Sequence, residues 1–304
     1  MRASLIQIAV DEGESVNSRR SRVSSLVREV AARERPDLVV LPELWTTGAF
    51  AYESFADEAE SLEGPTYEAM AKAASDAGVW LHAGSIPERD ASGDGQGDLY
   101  NTSLVFSPDG ELAASYRKIH RFGFDKGEAV LMGAGSELVT VRTPSAVIGL
   151  ATCYDLRFPE LFRGLVDAGA EMFVVPAGWP ARRREHWTLF ARARAVEDQV
   201  YVLACGTGGT HAGVPQAGHS VVVDPWGEVL AEAGDGEEVL TVDLDPSKVA
   251  ATREQFPALK DRLLGMDAPG AERRRVSRRP VPSPRGGSRR PRWPGAGPGR
   301  RPPG

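Results

Sequence analysis

Apolar positions along this chain alternate between two rhythms: short continuous runs of strand length, and longer stretches in which apolar residues recur three and four apart. Residues 3–10 form the first run, and the segment after it sets Val23, Leu26, Val27, Val30 and Ala31 at helical spacing. Residues 36–45, Pro-Asp-Leu-Val-Val-Leu-Pro-Glu-Leu-Trp, then give a short buried strand with Glu43 directly at its end. A helix opens at Gly64-Pro-Thr and runs to about Asp76, and residues 79–86 return to a strand. Residues 88–99 are rich in Gly, Asp and Ser and read as an exposed loop. Residues 147–153 are another apolar run. Pro159 then opens a helix carrying Leu161, Phe162, Leu165 and Val166, which Gly169 ends. A helical stretch over 184–199 and a strand over 201–205 complete the alternation, which is that of an α/β fold.

The pattern also repeats. Residues 103–114 have the form of a β-hairpin turned by Pro108, Asp109 and Gly110, and the form returns 117 residues later over 220–231, with Ser, Val, Pro, Gly, Glu and Ala at matching positions. Val-Val-Pro-Ala-Gly-Trp, ending at Trp179, echoes Val-Leu-Pro-Glu-Leu-Trp, ending at Trp45. The chain therefore reads as two similar halves, each contributing a sheet.

Candidate chemistry sits at the ends of these strands, where open α/β sheets gather ligands and catalytic groups. Cys153 lies at a strand-to-helix turn, with backbone N–H groups nearby to meet a developing oxyanion; taken alone it reads first as a buried core thiol. Glu43 alone is an ordinary loop acid, and Lys118, inside the charged and aromatic stretch 116–128, reads alone as part of a solvated basic face. Residues 206–209, Gly-Thr-Gly-Gly, lack the spacing of a phosphate cradle and read as a turn. The five histidines show neither a His-Glu-x-x-His pattern nor zinc-like spacing with a cysteine pair, and no Gly-x-Ser-x-Gly elbow is present. No metal site is expected.

Composition narrows the setting. The chain has 304 residues and a net charge of −6, but the last 38 residues hold eleven arginines against Asp267 and Glu272, so the preceding body carries about −15. An acidic body disfavours phosphate-backbone binding, which leaves nucleic acid to the basic tail if it is bound at all. No run approaches the roughly 18 apolar residues of a membrane span. Two cysteines, Cys153 and Cys205, make no disulfide framework and fit a reducing cytoplasm, with Cys205 reading as a structural thiol.

Taken together, Pro-Glu43-Leu-Trp, Tyr-Arg-Lys118-Ile-His, Gly-Glu128 and Cys153-Tyr-Asp-Leu-Arg-Phe-Pro resemble the nitrilase superfamily of carbon-nitrogen hydrolases over about residues 3–264. Pro176-Ala-Gly-Trp-Pro, His186-Trp, residues 193–201 and Arg253-Glu-Gln-Phe-Pro agree. Within the superfamily the pattern is most similar to the omega-amidases and deaminated-glutathione amidases. The resemblance implies a four-layer αββα sandwich, with Cys153 as nucleophile, Glu43 as general base, Lys118 as stabiliser of the tetrahedral intermediate and Glu128 as the family's second glutamate. It further implies hydrolysis of a small non-peptide amide through a cysteine thioester, with no cofactor and no membrane, in a homodimer or larger homo-oligomer. A nitrile or an N-carbamoyl amine would use the same three residues, and a binding protein on an inactive scaffold would have lost one of them. Tyr154 is expected to offer its backbone N–H to the oxyanion, Trp45, Phe124 and Trp179 lie where they could shape a small pocket, and Arg182, Arg183 and Arg184 could meet a substrate carboxylate, although three consecutive arginines read more plainly as a solvated loop. The hydrolase domain is expected over residues 1–266, followed by a disordered Arg/Pro/Gly-rich tail over 267–304.

Overall fold

The computed structural model describes residues 1–90 and 98–263, so the tail expectation lies outside the described residues. In the first half, strands β1 (Arg2–Gln7), β2 (Leu38–Val40), β3 (Trp80–Asp90), β4 (Asp98–Phe106) and β5 (Leu112–Arg117) are joined with helices α1 (Val16–Glu34) and α2 (Pro65–Ala77). A short helix α3 (Glu128–Leu131) leads to the second half: β6 (Thr140–Arg142), β7 (Val147–Leu150), α4 (Pro159–Asp167), β8 (Met172–Ala177), α5 (Arg184–Asp198) and β9 (Tyr201–Gly206). A small ribbon of β10 (Thr210–His211) and β11 (Val214–Pro215) follows, then β12 (Val221–Val223), β13 (Val229–Glu232), β14 (Glu238–Asp243) and helix α6 (Ser247–Gln255).

The two main sheets have the orders β14-β1-β2-β3-β4-β5 and β6-β7-β8-β9-β12-β13. Three neighbouring strands are parallel in each, β1 to β3 and β7 to β9, with a hairpin continuing antiparallel on one side and a lone antiparallel strand on the other. The hairpins β4–β5 and β12–β13 are the repeated ones of the sequence, so the two halves share one topology. Strand β14 returns from the second half to pair with β1, which laces the halves together.

Side-chain alternation builds the layers. Ala3 and Leu5 of β1 and Leu38 and Val40 of β2 share a buried cluster with Val174 and Leu203 of the other sheet. Their alternates Ile6, Val39 and Leu41 pack instead with Val23, Val27 and Val30 of α1 and Met70 of α2. Helices α4 and α5 cover the outer face of the second sheet, where Phe162, Leu165, Trp187 and Ala191 are buried. The result is helix, sheet, sheet, helix. Among the described residues no helix is long and apolar enough to cross a membrane.

Local signals place the helices. The Ser15 hydroxyl accepts the Ser18 N–H at 3.2 Å at the start of α1, and prolines open α2 and α4. The loop expected over 88–99 is shorter than its composition suggests, because β3 runs to Asp90 and β4 begins at Asp98. Arg117 of β5 holds that polar extension by pairing with Glu88 at 2.5 Å and Asp90 at 2.9 Å and lying 4.0 Å from the Tyr100 ring centroid. Residues 91–97 lie outside the described residues.

A kink in β3 prepares the site. The pairing of β3 with β4 shifts register between His82 and Ser85, where Gly84 adopts φ +65°. A Cβ there would lie 2.0 Å from the Pro42 carbonyl oxygen and 2.9 Å from Trp45 Cδ1, so only glycine lets β3 approach the loop that carries Glu43. Replacing Gly84 by Ala is therefore expected to cost roughly 2 kcal/mol or more, from a strained backbone and a displaced loop. Urea denaturation checks this; an unchanged midpoint would show that the close approach is not required.

Candidate active site

Four chemically active side chains converge between the sheets. Glu43 follows β2, Lys118 follows β5, Glu128 opens α3, and Cys153 opens a 3-10 turn, Cys153–Arg157, just beyond β7. They are 1, 1, 3 and 7 % exposed respectively. Glu43, Lys118 and Cys153 come from three different strand ends and Glu128 from the start of α3, so sheet geometry rather than sequence proximity assembles them.

The Lys118 ammonium lies between the two carboxylates, donating to Glu43 Oε1 at 2.7 Å and to Glu128 Oε2 at 2.6 Å. Asn101 of β4 donates from Nδ2 to both acids, reaching Glu43 Oε1 at 2.8 Å. The backbone N–H of Gly178 donates to Glu43 Oε2 at 2.8 Å, and that of Phe122 to Glu128 Oε2 at 2.9 Å. Both carboxylates are thus held by charge-assisted bonds in a buried place, where an unpaired charge would cost several kcal/mol. Cys153 lies against this cluster with Sγ 3.8 Å from the Gly178 carbonyl oxygen.

Burial and charge set the resting protonation. Burial pulls the Lys118 ammonium toward neutrality, but Glu128 and Glu43 outweigh it and hold its pKa well above the usual lysine value. Burial raises the Glu128 carboxyl, with Lys118 opposing the shift and Glu43 adding to it. Burial, followed by the Glu43 charge, pushes the Cys153 thiol well above its ordinary range despite Lys118. The resting sulfur is therefore a thiol rather than a thiolate.

A small cleft lies above Cys153, and Phe50, Phe122, Tyr154 and Trp179 form much of its wall. Two guanidiniums face it. Arg157 lies 5.2 Å from the Trp179 ring centroid, and Arg183 lies 5.4 Å from that of Phe122. Neither meets a carboxylate among the described residues. Burial lowers the Arg183 pKa, and the like charges of Arg182 and Arg157 lower it further.

The structure brings Glu43, Lys118, Glu128 and Cys153 together, with Tyr154 and Trp179 in the wall, and corrects the rest of the pocket. Trp45 does not line it: the indole is fully buried under the first sheet and donates from Nε1 to the Ala83 carbonyl at 2.8 Å. Phe124 is 81 % exposed, because it rides on a loop turned outward between Gly123 and Gly127. Of the three arginines only Arg183 faces the cleft; Arg184 pairs with Asp235 and Arg182 is exposed, as consecutive residues at the start of a helix point in different directions. Cys205 is fully buried among backbone carbonyls of β1 and β2, a structural thiol. Sequence reasoning passed over Asn101, Arg157 and Asp155. Arg157 had a signal, its place four residues after the cysteine on the same turn.

A carbon-nitrogen hydrolase family profile matches residues 2–254. The 2-oxoglutaramate amidase of Paenarthrobacter nicotinovorans is 42 % identical over 261 residues, covering 84 % of this chain and 87 % of the relative. Omega-amidase NIT2 of Mus musculus is 39 % identical over 273 residues, covering 86 % and 94 %. The crystal structure of Saccharomyces cerevisiae Nit3, a member of branch 10 of the nitrilase superfamily, superposes with a TM-score of 0.77 at 31 % identity, covering 84 % of this chain and 94 % of that one. With the whole αββα body matched and the acid, ammonium and thiol groups gathered in one buried cleft, the chain belongs to the carbon-nitrogen hydrolase family.

Proposed function

We propose that the protein hydrolyses the omega-amide of a small keto or dicarboxylic acid to the free acid and ammonia, through a thioester on Cys153. The observation that carries the substrate class is the pair Arg157 and Arg183, two guanidiniums without a protein carboxylate in a cleft whose floor holds the thiol. A substrate with an amide at one end and a carboxylate at the other satisfies both ends. The relatives named 2-oxoglutaramate amidase and omega-amidase support the same class.

In this mechanism Glu43 takes the thiol proton as Sγ attacks the amide carbon, because the thiol is too weak an acid to ionise unaided. The carbonyl oxygen becomes an oxyanion, met by the Lys118 ammonium and the Tyr154 backbone N–H at the turn. Glu43 returns its proton to the nitrogen, the C–N bond breaks, ammonia leaves, and a thioester remains. Glu43 next takes a proton from water as the water oxygen attacks the thioester, and returns it to the departing sulfur. Glu128, bonded to Lys118 and to the Phe122 N–H, keeps the ammonium charged and aimed. The residues complete this cycle without a cofactor.

The exposed face of α5, with Leu189 and Val196 at 61 and 52 % exposure, supports association of this enzyme into a homodimer or larger assembly through its helical layer. Sedimentation of the wild type should give a dimer or more, and replacing both residues by Glu should give a monomer; a monomeric wild type would refute this association.

Ammonia release from omega-amides of keto and dicarboxylic acids, measured beside neutral amides, nitriles and N-carbamoyl compounds, tests the reaction and the substrate class. Turnover of the acid-bearing amides is expected, with none in Cys153→Ala. Arg157→Ala and Arg183→Ala should raise KM for acid-bearing amides by about 10- to 100-fold, the worth of a charge-assisted hydrogen bond, and leave neutral amides unaffected. Preference for a nitrile, or unchanged KM in both arginine variants, would refute the assignment.

A further inference from the structure

One buried carboxylate of the site lies outside the ammonium–carboxylate cluster and has no part in the mechanism above. Asp155 is fully buried two residues beyond Cys153, and four hydrogen-bonding groups converge on its two oxygens. Its Oδ2 accepts the Thr152 N–H at 2.8 Å and the Tyr116 hydroxyl at 2.7 Å. Its Oδ1 accepts the His120 N–H at 3.0 Å and pairs with His120 Nδ1 at 2.7 Å. Thr152 immediately precedes the thiol residue, whereas Tyr116 and His120 stand two residues either side of Lys118. The His120 ring also stacks on Phe158, at the end of the same turn, with centroids 3.7 Å apart and planes 5° from parallel.

The turn needs such a clasp. Cys153 has φ +47°, a left-handed conformation that costs a non-glycine residue about 1 kcal/mol or more and persists only where the surroundings over-determine it. The Thr152 N–H bound to the Asp155 carboxylate and the Asp155 N–H bound to the Thr152 carbonyl, at 3.0 Å, close a loop around the cysteine. The same carboxylate reaches the segment that carries the ammonium. We propose that Asp155 is a positioning residue that fixes the Cys153 thiol relative to Lys118 and Glu43 by tying the nucleophile turn to the β5 end through Tyr116 and His120. The inference rests on the assignment of Cys153 as nucleophile.

A carboxylate is required because donors face both oxygens; an amide at this position turns an NH₂ toward one set of them. Asp155→Asn should lower kcat per titratable thiol by about 100-fold, the cost of roughly 1 Å of misplacement. Alkylation of Cys153 by iodoacetamide gives a readout that loss of folded protein alone would not move. With Glu43 in place to take the proton, the wild-type rate should change little between about pH 6 and pH 8. In Asp155→Asn, a thiol separated from its base should react in proportion to thiolate, with a rate rising about tenfold per pH unit below its pKa. A variant with kcat per titratable thiol within about 3-fold of wild type, or with the wild-type pH slope, would overturn the proposal. If Asp155→Asn does not fold, Tyr116→Phe decides: kcat should fall about 10-fold with circular dichroism unchanged, and full turnover would overturn the proposal. Alkylation needs no substrate, so a wild type that alkylates but hydrolyses no omega-amide would refute the substrate reading while the pH slopes still judge Asp155.

Discussion

The site depends on one buried cation shared by two buried acids. Glu43 and Glu128 both lie inside the protein, and without the Lys118 ammonium between them their mutual repulsion and desolvation would force at least one to bind a proton. The proposed mechanism needs both parts of this arrangement: Glu43 to accept the Cys153 proton and the ammonium to meet the oxyanion. The amide of Asn101 and the backbone N–H groups of Gly178 and Phe122 complete the hydrogen bonding of the two acids. The arrangement is stable only as a set, because removal of the cation leaves two uncompensated charges in a low-dielectric interior.

Such a cluster cannot be built from one local segment, and the duplicated architecture supplies the convergence. Each half contributes a sheet of three parallel strands extended by a hairpin, and the sheets pack face to face with their side chains interleaved. The strand ends of β2 and β5 deliver Glu43 and Lys118 from one sheet, and that of β7 delivers Cys153 from the other. The bulge at Gly84 in β3 and the left-handed Leu44 and Cys153 are places where backbone regularity gives way beside the site.

Much of this was legible in the sequence. Glu43, Lys118 and Cys153 each follow an apolar run, and the repeated Pro-Asp-Gly and Pro-Trp-Gly hairpins disclosed two halves. The pocket walls were less legible, because proximity to a motif does not say which way a side chain points. Trp45 neighbours Glu43 in sequence, but its indole packs under the sheet, and Phe124 belongs to a charged stretch whose tip turns outward. Asn101 sits within a strand where nothing in the local pattern separates it from an ordinary polar position. Asp155 and Arg157 lie inside the cysteine motif, yet their partners, Tyr116, His120 and Trp179, are distant in sequence and become neighbours only when the sheets assemble.

The central claim is that this buried set makes Cys153 a nucleophile carrying an acyl group. Rapid acid quench during turnover of an omega-amide, followed by mass spectrometry of the Cys153 peptide, tests it directly. The peptide should gain the mass of the substrate less ammonia, and the adduct should be released by hydroxylamine as a thioester is. Turnover with an unmodified Cys153 throughout, or with the acyl group on another residue, would contradict it.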